Sequence, residues 1–282
     1  MSRNHDWLGV RFSHPSQQVH RLRVSIMPSL KARIVAALPE ALVMHLQAID
    51  HYINGEMELR LLSSLVDASR PAIDAGANIG TYSYFMRRLA TKVYAYEPNP
   101  ELASRLKRIM PDLQVRQTAL SDNIKKIQFK LPVDESGRPM HELGSIAQQF
   151  SGPTREFTVD CVSIDSENFD DVGFIKIDVE QHEREVLRGG AATIARCRPS
   201  ILVEVYPLRY ERPIVEEFSF ILKDNYCAWF SLMKSWHQLD TLNQAVHAAP
   251  ENFGNFKLFM GNNLIFFPNE HCLAQVGPGA DA

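Results

Sequence analysis

IDAGANIGTYSYF, residues 73–85, decides the fold: it reads as the end of a buried strand, a glycine-rich turn and the first turns of a helix. Ala72 and Ile73 finish a short apolar run after Pro71, and Asp74 takes the last strand position. Gly76 and Gly80 supply a loop whose backbone can bend tightly and approach a ligand, and Thr81 opens the helix. The spacing D-x-G-x-x-x-G lacks the third glycine of the dinucleotide fingerprint G-x-G-x-x-G.

The next strand, VYAYEPNP over residues 93–100, places Glu97 at its carboxyl end just before Pro98. In an open parallel sheet, ligands bind outside the carboxyl ends of the strands at the switch point. A carboxylate about 20 residues beyond the glycine turn can there accept both hydroxyls of a ribose. Without the dinucleotide fingerprint, the reading is a nucleoside-like ligand lacking phosphate, of which S-adenosylmethionine is the common one, with Asp74 facing its amino group. The alternative is an α/β domain whose glycines merely make turns.

A second informative stretch is GFIKIDVEQHEREVLRGGAATI, residues 173–194. Its strand delivers Lys176 and Asp178 on one face and then Glu180, His182 and Glu183 into a helix start. Unpaired buried charge costs several kcal/mol, so Lys176 and Asp178 either pair with polar neighbours or serve a ligand. SILVEVYP, residues 200–207, ends another apolar run with Glu204. Asp178, Glu180, His182 and Glu204 are therefore expected to converge at the sheet's carboxyl edge, where a substrate would enter.

The rest of the chain is read around these stretches. Its 282 residues can bury a substantial core, and a net charge of −3 gives no global basic field, which argues against nucleic acid as an obligate partner. Cys161, Cys197, Cys227 and Cys272 match no C-x-x-C metal spacing and read as reduced, structural thiols. The amino terminus has no apolar run suited to a signal peptide, and no stretch reaches the roughly 18 residues needed to span a bilayer, so a cytoplasmic protein is expected. Residues 1 to about 40 are locally basic and carry Trp7, Leu8, Val10 and Phe12. They read as a partly ordered extension, a peripheral membrane contact, or a flap over the active site.

Leu42, Leu46, Ile49 and Ile53, then Leu59, Leu62, Leu65 and Val66, recur at helical spacing and predict two helices capping the domain's edge, with Glu56 and Glu58 near the start of the second. After Glu97 a helix over 101–109 ends at Pro111, and LQVRQTALSD reads as a third strand running into a turn. Residues 124–165 show short alternating runs, a β-rich excursion whose Gly137–Pro139 turn is read as solvent-facing. Beyond Glu204 come a helix over about 214–223, a strand CAWFSL and a polar connection with Trp236, His237 and His247. FKLFM and NLIFFP, joined by Gly261–Asn263, predict a hairpin finish before a disordered GPGADA tail. The division expected is an extension over 1–54, a main domain over 55–270 and a tail over 271–282.

Together, IDAGANIGTYSYF, VYAYEPNP, TALSD and FIKIDVEQHEREVLRGGAATIARCRPSILVEV resemble the FkbM-type methyltransferases over roughly residues 55–210. These are S-adenosylmethionine-dependent class I enzymes that mostly methylate hydroxyl groups, often of sugars. The resemblance implies an α/β, Rossmann-like three-layer sandwich. Its mostly parallel seven-stranded sheet would run 3-2-1-4-5-7-6, with a C-terminal antiparallel hairpin and a β-rich insertion. It makes Asp74, Gly76, Asn78, Gly80 and Glu97 cofactor positions and matches Asp178, Glu180 and Glu183 to the family's acidic block. Ala77, Thr81, Tyr82, Pro98, Ala119, Leu120 and Asp178 complete the expected cofactor-binding set, Ala119 and Leu120 lying where the third strand's turn borders the adenine pocket. One departure stands out: the family usually has glycine after D-V-E, and this chain has Gln181. If that position needs positive φ, glutamine is strained there.

Methyl transfer to an alcohol requires alignment of the acceptor oxygen, worth roughly 7–11 kcal/mol, and removal of its proton by a base, worth about a hundred- to ten-thousand-fold. His182 is the first expectation for that base and Asp178 the second, with Glu180 and Lys176 completing the catalytic candidates. His182 reads equally well as a cap on the following helix. Asp178, Glu180 and Glu204 admit a further reading, in which they hold a divalent cation. The acceptor implied is a small molecule or glycan: a sugar, glycolipid or glycosylated metabolite. Two other functions remain alternatives: an NAD-dependent oxidoreductase, which the missing glycine opposes, and a non-catalytic adenosyl-ligand binding protein, in which Gln181 marks a decayed site.

Overall fold

Parallel strands covered on both faces must be short, nearly continuous apolar runs, and four such runs build the centre of this molecule. The computed structural model describes residues 38–55, 57–134, 136–148, 150–232, 235–253, 255, 257 and 259–271. The basic segment over 1–37, Glu56, Cys272 and the terminal GPGADA lie outside the described residues. The chain divides into two units, Met1–Val43 and Met44–Ala282.

The strands are β1 (Ala72–Ala75), β2 (Val93–Tyr96) and β3 (Gln114–Arg116), followed by β4 (Ala119–Leu120), β5 (Lys125–Pro132) and β6 (Thr154–Val162). Then come β7 (Phe174–Ile177), β8 (Ser200–Glu204), β9 (Tyr226–Leu232), β10 (Ser235–Gln238) and β11 (Asn263–Pro268). Eight form one sheet in the order β10-β9-β11-β8-β7-β1-β2-β3, and β4-β6-β5 form a second. The first sheet is parallel from β8 to β3, while β11 runs antiparallel to both β8 and β9. Setting β10 aside, this is the 3-2-1-4-5-7-6 order of class I methyltransferases. The eighth strand is a difference from the sequence reading, which put Trp236 and His237 in a connection. The hairpin lies between β9 and β10, whereas Lys257, Phe259 and Met260 of FKLFM are in no strand. LQVRQTALSD also divides: β3 stays in the main sheet, and β4 leaves to pair with β6.

Alternate strand residues feed two cores, which gives the three layers. Ile73, Ala75, Ile175, Ile177, Ile201 and Val203 face one side, packed with Val186, Leu187 and Ile194 of helices α5 (Glu183–Gly189) and α6 (Ala191–Cys197). Ala72, Phe174, Leu202 and Ile265 face the other, against α1 (Glu40–Asn54), α2 (Leu62–Leu65), α3 (Thr81–Met86) and α4 (Pro100–Ile109). The two-residue period of a strand also puts Asp74 and Lys176 on this second side, directly paired in register across β1 and β7.

The predicted helix α1 is present, with Leu42, Leu46, Ile49 and Ile53 exposed and Met44 and Ala48 buried. The reading of the cysteines as reduced thiols is corrected. Cys161 and Cys197 are free thiols, but Cys227 is disulfide-bonded. Among the described residues no helix is long and apolar enough to cross a membrane.

Candidate active site

The chain leaves β1 into Gly76, β2 into Glu97 and β7 into Asp178, so three strand ends meet where the sheet order reverses. Backbone bonds fix them: Gly76 and Ala77 N–H both donate to Tyr96 O at 3.0 Å, and Asp178 N–H donates to Ala75 O at 3.0 Å. Gly76 has φ +77, and a Cβ there would stand 1.8 Å from the Asp178 carbonyl oxygen, so only glycine lets β1 and β7 come this close. Gly80, at φ +94, is also constrained by packing: its Cβ would press on Leu106 and Met110 of α4 at 2.5 and 2.6 Å.

Glu97 is 4% exposed. Its carboxylate accepts from Asn78 N–H at 2.7 Å and from Asn99 N–H at 2.8 Å. Asn99 is at the same time the N-cap of α4, accepting from Glu101 N–H at 3.0 Å ahead of Pro100 at the helix start. Burial, opposed by those two amide bonds, pushes the Glu97 carboxyl up to about 7, with Asp74 adding to the rise. Asn78 holds left-handed backbone, φ +51, and its buried Oδ1 has no hydrogen-bond partner.

Lys176 is buried among acids. Its Nζ lies 3.2 Å from Asp178 Oδ2 and 3.7 Å from Asp74 Oδ1, donates to Gly76 O at 3.3 Å, and stands 4.9 Å from the Tyr82 ring centroid. Ser83 Oγ–H donates to Asp74 Oδ2 at 2.6 Å, pinning α3 to β1. Lys176 therefore pairs with its polar surroundings, one of the two readings left open by the sequence.

The cleft at these strand ends is lined by Gly76, Asn78, Glu97, Pro98, Asp178 and Glu180, and on its far wall by Ala119 and Leu120. Asp74, Ala77, Gly80, Thr81, Tyr82, Lys176 and His182 stand behind or beside it and are not part of its lining. His182 is buried against another element: Nε2 is hydrogen-bonded to Ser121 Oγ at 2.9 Å and Nδ1 is 3.6 Å from Glu185. Burial holds its pKa below the usual imidazole range. Glu180 reaches the cleft from a left-handed turn, φ +52, followed by Gln181 at φ +75. The glutamine thus occupies the backbone region that favours glycine. Burial, and then the neighbouring Asp178, push the Glu180 carboxyl up to about 7, while Arg209 Nη1 donates to it at 3.1 Å.

Part of the lining was not foreseen. Phe129, His141, Gly144, Ser145 and Ile146 of the β5–β6 insertion, with Tyr96 and Val179, complete the cleft. His141 Nδ1 accepts from Asn99 Nδ2 at 3.0 Å, tying the insertion to the Glu97 loop. The Gly137 turn faces open space, as read from the sequence. Among the described residues no group of three or more His, Cys, Asp or Glu side chains is placed to hold a metal ion, so Asp178, Glu180 and Glu204 do not form such a set.

Against known proteins, the methyltransferase FkbM domain family matches residues 74–230, more than half of the chain. No curated protein matches. Among solved structures, the chain is similar to a methyltransferase FkbM from Methylobacillus flagellatus at 15% identity and TM-score 0.44, covering 83% of this chain and 57% of that one. It therefore spans little more than half the length of that protein. An O-methyltransferase from Bacillus cereus, solved in complex with SAH, is 14% identical over 89% of this chain and 96% of that one, with TM-score 0.39. An rRNA methylase from Streptococcus thermophilus is 12% identical over 75% and 94%, with TM-score 0.37.

Proposed function

Because the chain belongs to the FkbM methyltransferase family, we propose that it transfers a methyl group from S-adenosylmethionine to a hydroxyl of a small molecule or glycan: a sugar, glycolipid or glycosylated metabolite. The observation that carries the reading is the buried Glu97 carboxylate beside the unpartnered Asn78 Oδ1 in one cleft. That pair of acceptors suits the hydroxyl and amino donors of an adenosyl amino acid. When bound, S-adenosylmethionine supplies an electrophilic methyl group on a sulfonium centre.

The chain's own residues do the rest. Glu97 binds the ribose hydroxyls through its carboxyl oxygens, each bond to the ionised form contributing about 1.5–3 kcal/mol. Asn78 and Asp178 hold the amino-acid end, and Lys176 keeps Asp178 and Asp74 in place as their buried counter-charge. Ala119, Leu120, Phe129 and Ile146 exclude water from the adenine side. Glu180, at the cleft and with its carboxyl raised toward neutrality, receives the proton of the acceptor hydroxyl. His182 is given the positioning role, anchoring the start of α5 to Ser121.

The test is incubation of the purified protein with methyl-labelled S-adenosylmethionine and a panel of methyl glycosides. Label in an O-methyl ether of at least one glycoside is expected. Label found only in nucleic acid or protein when cell-extract fractions are offered would refute the acceptor class.

A further inference from the structure

Glu180 and Gln181 are consecutive residues in left-handed backbone, φ +52 and +75, and neither is glycine. Each such residue costs on the order of 1–2 kcal/mol, so the surroundings must impose the turn. Three segments do so. Arg209, after β8, grips the Glu180 carboxylate. Gln181 N–H donates to Glu183 Oε1 at 2.9 Å, and Glu183 Oε2 accepts from Tyr210 OH at 2.8 Å. The third holder comes from the insertion: Ser145 Oγ–H donates to the Glu180 carbonyl oxygen at 2.7 Å.

Ser145 is built for that bond. It is 1% exposed, and its Oγ accepts from Ala147 N–H at 3.1 Å and Gln148 N–H at 3.0 Å. With both acceptor sites filled by amides, its one proton is committed to Glu180. Its backbone is fixed as well, N–H to Lys130 O at 3.0 Å and O from Lys130 N–H at 2.9 Å. Gly144 lies flat on the Phe129 ring, where a Cβ would stand 2.4 Å from Cζ.

We propose that Ser145 is a positioning residue for the reaction: by fixing the Glu180 carbonyl it holds the Glu180 carboxylate against Arg209 and at the cleft. It thereby joins the insertion over the cofactor side to the residue that receives the proton, and so rests on the Glu180 reading above. The charged and titratable groups facing Glu180 are Asp178 and Glu183, which raise its pKa, and Arg209, which lowers it, with Glu204 and Tyr206 further along the same edge. Loosening the turn weakens the Arg209 contact and opens the carboxyl to water, so it moves the Glu180 pKa away from its wild-type value.

The experiment is a pH titration of side-chain carboxyl-labelled glutamate by NMR in the cofactor-free protein, with the Glu180 signal assigned by its loss in Glu180→Gln. Ser145→Ala is expected to move the Glu180 midpoint by half a unit or more, Arg209→Met to move it up, and Ser145→Thr to keep the wild-type value. Should Ser145→Ala fold poorly, Ser145→Cys keeps the volume with a far weaker donor and is expected to shift as the alanine does. An unmoved midpoint in the folded alanine or cysteine variant overturns the proposal. Turnover of labelled S-adenosylmethionine separates it from the base reading. Near-normal kcat in Glu180→Gln refutes the base, and with it the role given to Ser145. An inactive Glu180→Gln beside a Ser145→Ala variant of unchanged kcat and midpoint refutes the positioning role alone.

Discussion

With its carboxyl pushed up to about 7, Glu180 is half ionised near neutrality, so the fraction able to accept a proton grows as pH rises. The kcat/KM of the free enzyme is therefore expected to climb through about pH 7 and level off above it, and Glu180→Gln to lower kcat about a hundredfold or more and abolish that limb. A Glu180→Gln variant that keeps the same acid limb would assign it to another group. Next to it, Gln181 holds φ +75, where an L-residue is strained. Gln181→Gly is expected to raise unfolding stability by ~1 kcal/mol in urea titration, and a loss of stability would show that the glutamine side chain holds the turn. The sequence marked this position through the glycine usual in the family. It could not show that His182, one residue on, turns away to Ser121, because the partner is 61 positions distant.

At the scale of elements, the two glycines of the β1–α3 turn are set by protein contacts. Gly76 would drive a Cβ into a backbone carbonyl at 1.8 Å, whereas Gly80 would meet the ends of Leu106 and Met110, which can move. Gly76→Ala is accordingly expected to cost more stability than Gly80→Ala, by at least ~1 kcal/mol in thermal unfolding. Equal melting temperatures with selective loss of ligand would instead support the reading in which the glycines let the loop backbone approach a ligand. The strand ends carrying Asp74, Glu97 and Asp178 were legible because a buried run closed by an acid is unusual and local. The α1 helix is legible from its periodicity but its buried face is not: Leu46, Ile49 and Ile53 form one stripe, burial is decided by what packs against the helix, and Met44 and Ala48 face the core. The cleft wall of Phe129, His141 and Ser145 left no signal, since it is brought to Asn99 and Glu180 by the β5–β6 pairing and not by any spacing.

For the whole molecule, a parallel sheet with a switch point between β1 and β7 fixes where a ligand must sit, and the return of the chain through β11 and β9 completes the sheet away from that cleft. The eighth strand β10 extends the far edge without touching the switch point, so it alters the outline and leaves the site as the family order places it. The proposed binding of an adenosyl amino acid in this cleft through Glu97 is tested by calorimetric titration of S-adenosylhomocysteine into the wild-type chain and a Glu97→Ala variant. One site per chain is expected in the wild type and an affinity at least about tenfold weaker in Glu97→Ala, with the variant still folded by circular dichroism. Equal affinity in the two folded proteins, or no binding to the wild type, would contradict it.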